Sequence, residues 1–307
     1  MTTVEAADQR LPSNTPARAP VEAPERSIGL FRDALLRMRH SLSAVIGATI
    51  VGIFILVAIF APFLAPYDPT DGNLRDSFLP PSGQHPFGTN IQGQDELSRI
   101  IFGSRLSLGI ALLSVTIGVT IGVILGSLAG YFRGAVDATI MRMVDIMLSI
   151  PGLLFAIAIV AWLGRSVVQI AIAIAVLNIP IFARILRGSL LSLRDAEFVV
   201  AARAVGVRGP SLLIRHMLPN AVGPLIVQAT LSLATAIVEA AALGFLGLGP
   251  PDPATPEWGT MLSDTYRYLN DAPYLAFFPG TAIVLSVLGF NLLGDGMREA
   301  LDPRLRR

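Results

Sequence analysis

Residues Ala201–Asn220 read "AARAVGVRGPSLLIRHMLPN", three arginines, a histidine and two prolines set between runs apolar enough to live in lipid. Phe198, Ala201, Ala202 and Val205 recur at 3- and 4-residue spacing, which puts them on one helical face. Gly206 is expected to end that helix, because glycine adopts positive φ without penalty. Gly209 and Pro210 then open a second helix, proline suiting the first helical position. Its apolar members are Leu212, Leu213, Met217 and Leu218, and Pro219 is expected to stop it. The stretch reads as a helix, a glycine turn and a second short helix, with an apolar ridge and an arginine rim. An apolar surface outside the bilayer usually marks a protein interface; the alternative is a loop folded onto its own bundle.

Working outward, the chain of 307 residues is 53% hydrophobic and only 15% charged, where soluble domains carry about 25% charged residues. This is a membrane protein. The absence of cysteine excludes a disulfide framework and a thiolate metal site. All 23 basic residues are arginine. A phosphate-binding Walker loop needs a lysine after its last glycine, so if ATP drives the work of this protein, another polypeptide must bind it.

Apolar runs of the roughly 20-residue length that crosses the hydrocarbon core fall at 44–64, 106–130, 139–163, 166–183, 221–245 and 274–294. The expected fold is therefore all-α and polytopic, with six transmembrane helices. With the N-terminus inside, Arg75, Arg99, Arg105, Arg165 and Arg267 lie outside and the other 18 of the 23 arginines lie in cytosolic segments. Basic flanks resist translocation, so both termini are expected in the cytosol. Residues 1–27, with Pro12, Pro16, Pro20 and Pro24, have the composition of a disordered cytosolic tail. Residues 28–43, which contain "IGLFRDALLRMRH" with Ile28, Leu35 and Leu36 near one face, suit an interfacial amphipathic helix; a plain polar flank of the first span fits equally well. Residues 65–105 form an extracytoplasmic loop, a second outer segment covers 246–273, and "LGRS" joins spans three and four in a tight outer turn. Residues 106–297 make a five-helix core with a cytosolic hairpin at 187–220, and 298–307 form a cytosolic tail.

Gly118, Gly122, Gly126 and Gly130 stand at four-residue intervals in the second span. They line one face and let a neighbouring backbone approach, since helices in lipid associate by close packing. Ionisable groups within the spans are few: Arg142 and Asp145, which read as a local i,i+3 pair, and Glu239, which has no partner nearby in sequence. Charge in lipid is costly and usually faces a cavity or a partner. Glu239 and Asn291 are the polar positions assigned to a solute path or to pairing between helices. His40, His85 and His216 are far apart and show no metal-ligand spacing, and no nucleophile, base or metal motif marks a catalytic site.

"AARAVG" followed after nine residues by "HMLP" resembles the cytosolic loop of the permease subunits of binding-protein-dependent ATP-binding-cassette (ABC) importers, E-A-A, three residues, Gly, nine residues, I-x-L-P. Ala201, Ala202, Gly206, Leu218 and Pro219 match; Val200 stands in place of the glutamate, with Glu197 one turn earlier, and His216 in place of the isoleucine. "HPFGTNIQGQDELSRIIFGSRLSL" (85–108), "VDIMLSIPGLL", "EAAALGFLGLGPP" with "PEWGTML", and the terminal "FNLLGDGMREALDPRLRR" are similar to the C-type permease of dipeptide, oligopeptide and nickel importers, with Gln94 replacing an arginine common there. The resemblance implies the type I ABC importer permease fold and import across the bacterial cytoplasmic membrane by alternating access. Implied partners are a homologous B-type permease, two ATP-binding subunits that receive the hairpin through Glu197, Ala201, Ala202, Gly206, Leu218 and Pro219, and an extracytoplasmic solute-binding protein. Membrane lipid surrounds the chain and nucleic acid plays no part. ATP and magnesium belong to the partner subunits, and this chain carries no cofactor. Peptide is the first choice of solute, with a nickel chelate or another oligopeptide-like solute as the alternative and a secondary carrier as the remote one.

Overall fold

The computed structural model describes residue 36 and residues 38–301. The expected tail at 1–27, nearly all of the interfacial helix at 28–43 and the end of the chain beyond Leu301 lie outside the described residues. Nine principal helices run in order: α1 (Leu42–Ile59), α2 (Glu96–Phe132), α3 (Gly134–Ser149), α4 (Gly152–Leu163), α5 (Val167–Leu193), α6 (Glu197–Ala204), α7 (Leu218–Leu243), α8 (Trp258–Thr265) and α9 (Tyr274–Leu301). The described residues form no named strand, in keeping with the all-α expectation. Among the described residues five helical runs are long and apolar enough to cross a membrane, or six if the bent pair α3 and α4 is counted as one span.

That pair corrects the third span. Residues 139–163 do not form one rod: the chain turns by 94° between α3 and α4. The cause is Pro151, which disfavours helical backbone at the residue before it; Ile150 is extended, with φ −89° and ψ 131°. With 16 and 12 residues, the halves reach about 24 and 18 Å at 1.5 Å per residue, each short of the ~30 Å core.

Helix α2 corrects the outer loop in the opposite sense. It begins ten residues before the apolar run, because Asp95 caps it: the carboxylate accepts from the Ser98 amide at 2.8 Å and the Ser98 hydroxyl at 2.7 Å. A side-chain acceptor for an orphan N–H is what starts a helix, whatever the hydropathy that follows. The 37-residue α2 is about 55 Å long.

The bundle is organised by α2 against α5. A Cβ built at Gly118 would lie 2.8 Å from the Asn178 Cβ, at Gly122 2.5 Å from the Phe182 Cβ, at Gly126 2.6 Å from the Ala183 carbonyl oxygen and at Gly130 3.0 Å from the Leu190 Cβ. All four glycines are where α5 comes closest, and any side chain there would push the helices apart. Helix α1 packs on α9, and the Ser41 hydroxyl donates to Glu299 at 2.9 Å. Between α4 and α5, Ser166 and Gln169 form a reciprocal capping box, and Gly164 turns the chain at φ +109°. The tight turn expected at "LGRS" is there.

Candidate coupling interface and polar sites

Helix α5 runs on beyond its apolar span to Leu193, so the first part of the 187–220 segment is a continuation of that helix. Helix α6 follows after Arg194, Asp195 and Ala196. Its end is closed by the Gly206 amide bonding the Arg203 carbonyl at 3.0 Å and by the Val207 amide reaching back to the Ala202 carbonyl at 3.1 Å. This six-to-one closure needs a left-handed residue, and Gly206 supplies it at φ +81°. A Cβ at Gly206 would meet no atom within 4 Å.

The stop expected at Pro219 is absent. From Gly209 the chain stays helical through Pro219 to Leu246, passing through a π turn at Leu212–Met217 and a second that begins at Gly244 and is broken at Gly247, where φ is +77°. Proline removes an i→i−4 bond and its ring crowds that carbonyl. The wider π turn just ahead of Pro219 changes the bonding register and takes up the misfit. The second hairpin helix is therefore the base of α7 itself.

The predicted apolar ridge is divided between two surroundings. Ala202, Leu212 and Met217 are buried in the core of the chain, as is Val199, which the expected ridge did not include. Gly209 sits so close to the Tyr131 side chain at the end of α2 that a Cβ would collide with the hydroxyl. Ala201 is exposed, and so are Phe198 at 41% and Val205 at 81%. One side of the hairpin seats on its own bundle and the other presents apolar surface beside the open Gly206. Glu197 and Pro219 are exposed and Leu218 is half-buried.

Within the spans, Asp145 does not pair with Arg142; its carboxylate accepts from Arg184 on α5 at 2.6 Å. Three residues further along α5, Arg187 grips Asp137 with two bonds, Nε to Oδ1 at 2.5 Å and Nη2 to Oδ2 at 2.7 Å. Glu239 on α7 keeps its Oε2 buried without a hydrogen-bond partner. Asn291 is half-buried on α9, and no hydrogen bond joins the two.

At the other end of the bundle lies a polar cluster that sequence reasoning did not single out. Arg99, 2% exposed, donates to the Gln94 side chain at 2.5 Å and, more weakly, to the carbonyls of Pro69, Ala254 and Pro253 at 3.3 to 3.4 Å. Gln94 also donates to the Thr70 carbonyl at 3.0 Å, so the residue that replaces the familiar arginine ties the 65–95 segment to the head of α2. Glu257 caps α8, accepting from the Gly259 and Thr260 amides at 2.9 and 2.8 Å, and the Ser107 hydroxyl on α2 donates to it at 3.3 Å. Burial holds this carboxyl above the ordinary carboxylate range, opposed by those bonds. Trp258, fully buried, donates its indole N–H to the Ile100 carbonyl at 3.1 Å. Little in the sequence announces this cap, since Glu is not among the residues that usually mark an N-cap.

Residues 122–307 match the family described as binding-protein-dependent transport system inner membrane component, and residues 29–81 match the N-terminal TM domain of oligopeptide transport permease C. The chain is 45% identical over 291 residues to the dipeptide transport system permease protein DppC of Alkalihalophilus pseudofirmus, covering 95% of each. It is 42% identical to the glutathione transport system permease protein GsiD of Escherichia coli, over 94% of this chain and 95% of that one. Its fold is like that in the inward-facing MetNI methionine ABC transporter, CY5 native crystal form, with a TM-score of 0.56 and 20% identity over 67% of this chain and 97% of that chain. The chain belongs to the inner membrane components of binding-protein-dependent transport, the permease subunits of ABC importers. Its N-terminal segment sets it more narrowly among the C-type permeases of the peptide importers.

Proposed function

We propose that this chain is one half of the transmembrane path of a peptide importer, paired with a homologous B-type permease in the bacterial cytoplasmic membrane. Both termini and the 187–220 hairpin face the cytosol, and the 65–95 segment faces outward toward a solute-binding protein. Two separate subunits bind ATP and magnesium and receive the hairpin through Glu197, Ala201, Ala202, Gly206, Leu218 and Pro219. The chain itself hydrolyses nothing. The observation that carries this reading is the half-seated hairpin: Val199 and Ala202 anchor it, while Phe198, Ala201 and Val205 stay open around a glycine with nothing above it. An apolar surface of this kind, outside lipid, is completed by another protein. Names of relatives that carry dipeptide and glutathione support peptide as the solute class.

ATP-driven alternating access follows from this arrangement. Closure of the ATPase pair moves the docked hairpin, and because only three residues separate α6 from α5, the displacement passes into the bundle as rigid-body motion. The test is reconstitution of the permease pair with its ATPase subunits and binding protein in liposomes, followed by uptake of radiolabelled Ala-Ala and of nickel–histidine. ATP-dependent accumulation of the dipeptide, persisting after the membrane potential is collapsed, is expected. Accumulation of the nickel chelate alone would move the solute class, and uptake that depends on the potential with no need for ATP would refute the importer reading.

A further inference from the structure

Helix α3 is weakly held by packing: of its 16 residues only Val144 is buried. Its apolar side chains Met143, Ile146 and Leu148 are exposed. Both its ends are breaks. It starts at Gly134, where Arg133 and Gly134 take φ +56° and +57°, and it ends at the 94° turn before α4. Besides the packing of Val144, what ties the body of α3 to α5 is a pair of ion bridges, Asp137 with Arg187 and Asp145 with Arg184. The bridges grip α3 near its start and past its middle. On α5 the two arginines are one turn apart, just before the helix runs into the hairpin.

We propose that these two ion pairs are a strut that carries movement of the coupling hairpin into α3, which swings as a unit between its two breaks. Arg184, Arg187, Asp137 and Asp145 are thus positioning residues for transport. This rests on the importer reading given above. The Arg187 bridge does most of the positioning: a two-bond fork fixes orientation as well as distance, and its side chains are 31% and 17% exposed. The Arg184 bridge, 54% and 58% exposed, is screened by salt and fixes less. A lipid-facing or partner-facing α3 held only by its covalent ends would have no reason to place two acidic groups toward the same basic helix.

The chain has no cysteine, so two spin labels can be placed by substitution alone, at Ser149 on α3 and Ser192 at the end of α5, both exposed. In the purified full chain without nucleotide, the distance distribution between them is expected to be a single narrow peak. It should broaden at least twofold in Arg187→Ala, less in Arg184→Ala, and narrow again in the charge exchange Asp137→Arg with Arg187→Asp. An unchanged width in Arg187→Ala, or a broad peak already in the parent chain, overturns the strut. The second arm uses the assembled transporter with labels at Ser149 and Gly83. ATP with vanadate should shift that distance in the parent and not in the double Arg184→Ala, Arg187→Ala variant. No shift in a parent that hydrolyses ATP also overturns the proposal. A permease that retains no ATPase subunit refutes the importer reading instead, and the nucleotide-free arm then decides the strut by itself.

Discussion

Substituting Gly206 separates three effects that a coupling turn must satisfy. At φ +81° a residue with a Cβ pays about 1–2 kcal/mol, less for Asn and Asp, whose short polar side chains tolerate the left-handed region. Nothing within 4 Å opposes the Cβ, so within the chain the cost is conformational only. That weakens the closure of α6 roughly five- to thirtyfold without touching a span. Strain alone therefore ranks Ala as worst and Asn with Asp as mild. Obstruction of a docked partner predicts the reverse, because Ala adds one carbon whereas Asn and Asp add four heavy atoms where the partner sits, and Asp also buries a charge. We expect uptake and retention of the ATPase subunits to fall in the order Gly, Ala, Asn, Asp, with membrane abundance near that of the parent throughout. The assay is a pull-down of ATPase subunits through a tagged permease, with uptake and immunoblotting from the same cells. Full uptake by Gly206→Asp with undiminished ATPase association would refute the docking surface; parallel loss of the permease from the membrane would make Gly206 a folding residue.

Gly122→Leu should lower the abundance or thermal midpoint of the chain by the equivalent of about 1–3 kcal/mol or more, since even a Cβ would stand 2.5 Å from that of Phe182; a normal melting curve in detergent would contradict the packing. Glu257→Ala should cost about 1–3 kcal/mol by leaving one buried and one part-buried amide without an acceptor, with Gln restoring part of it, as thermal unfolding of the solubilised protein would show. Gly83→Cys, exposed with open space around it, should react with an impermeant maleimide in intact cells; labelling only after permeabilisation would invert the topology.

Hydropathy made the bundle legible because a span declares itself over some twenty residues. Turn chemistry was legible where one residue decides it, as at Gly206 or in the "LGRS" turn. Two kinds of feature escaped. The early start of α2 and the continuation through Pro219 depend on a single cap and on a π turn, which overrule the apolar pattern and the usual meaning of proline. The pairings of Asp145 with Arg184 and of Arg99 with the carbonyls of Pro69, Pro253 and Ala254 join residues that only the fold brings near. Sequence spacing suggested Arg142 for Asp145 because neighbours in a helix are the pairs it can see. Long arginines reaching across to α3 are invisible to it.

The four-point contact between α2 and α5 has a mechanical side. Because the close approaches recur every four residues, the next arrangement in which glycines again face the other backbone lies about 6 Å away along the axis, and every shift in between drives a side chain into the opposing helix. The two rods behave like toothed racks in mesh, able to tilt and travel together but barred from creeping past one another. On the importer reading proposed above, movement of the hairpin is carried by this meshed pair as a whole, so a small angular change there is multiplied along some 55 Å of α2 before it arrives at the Arg99 cluster.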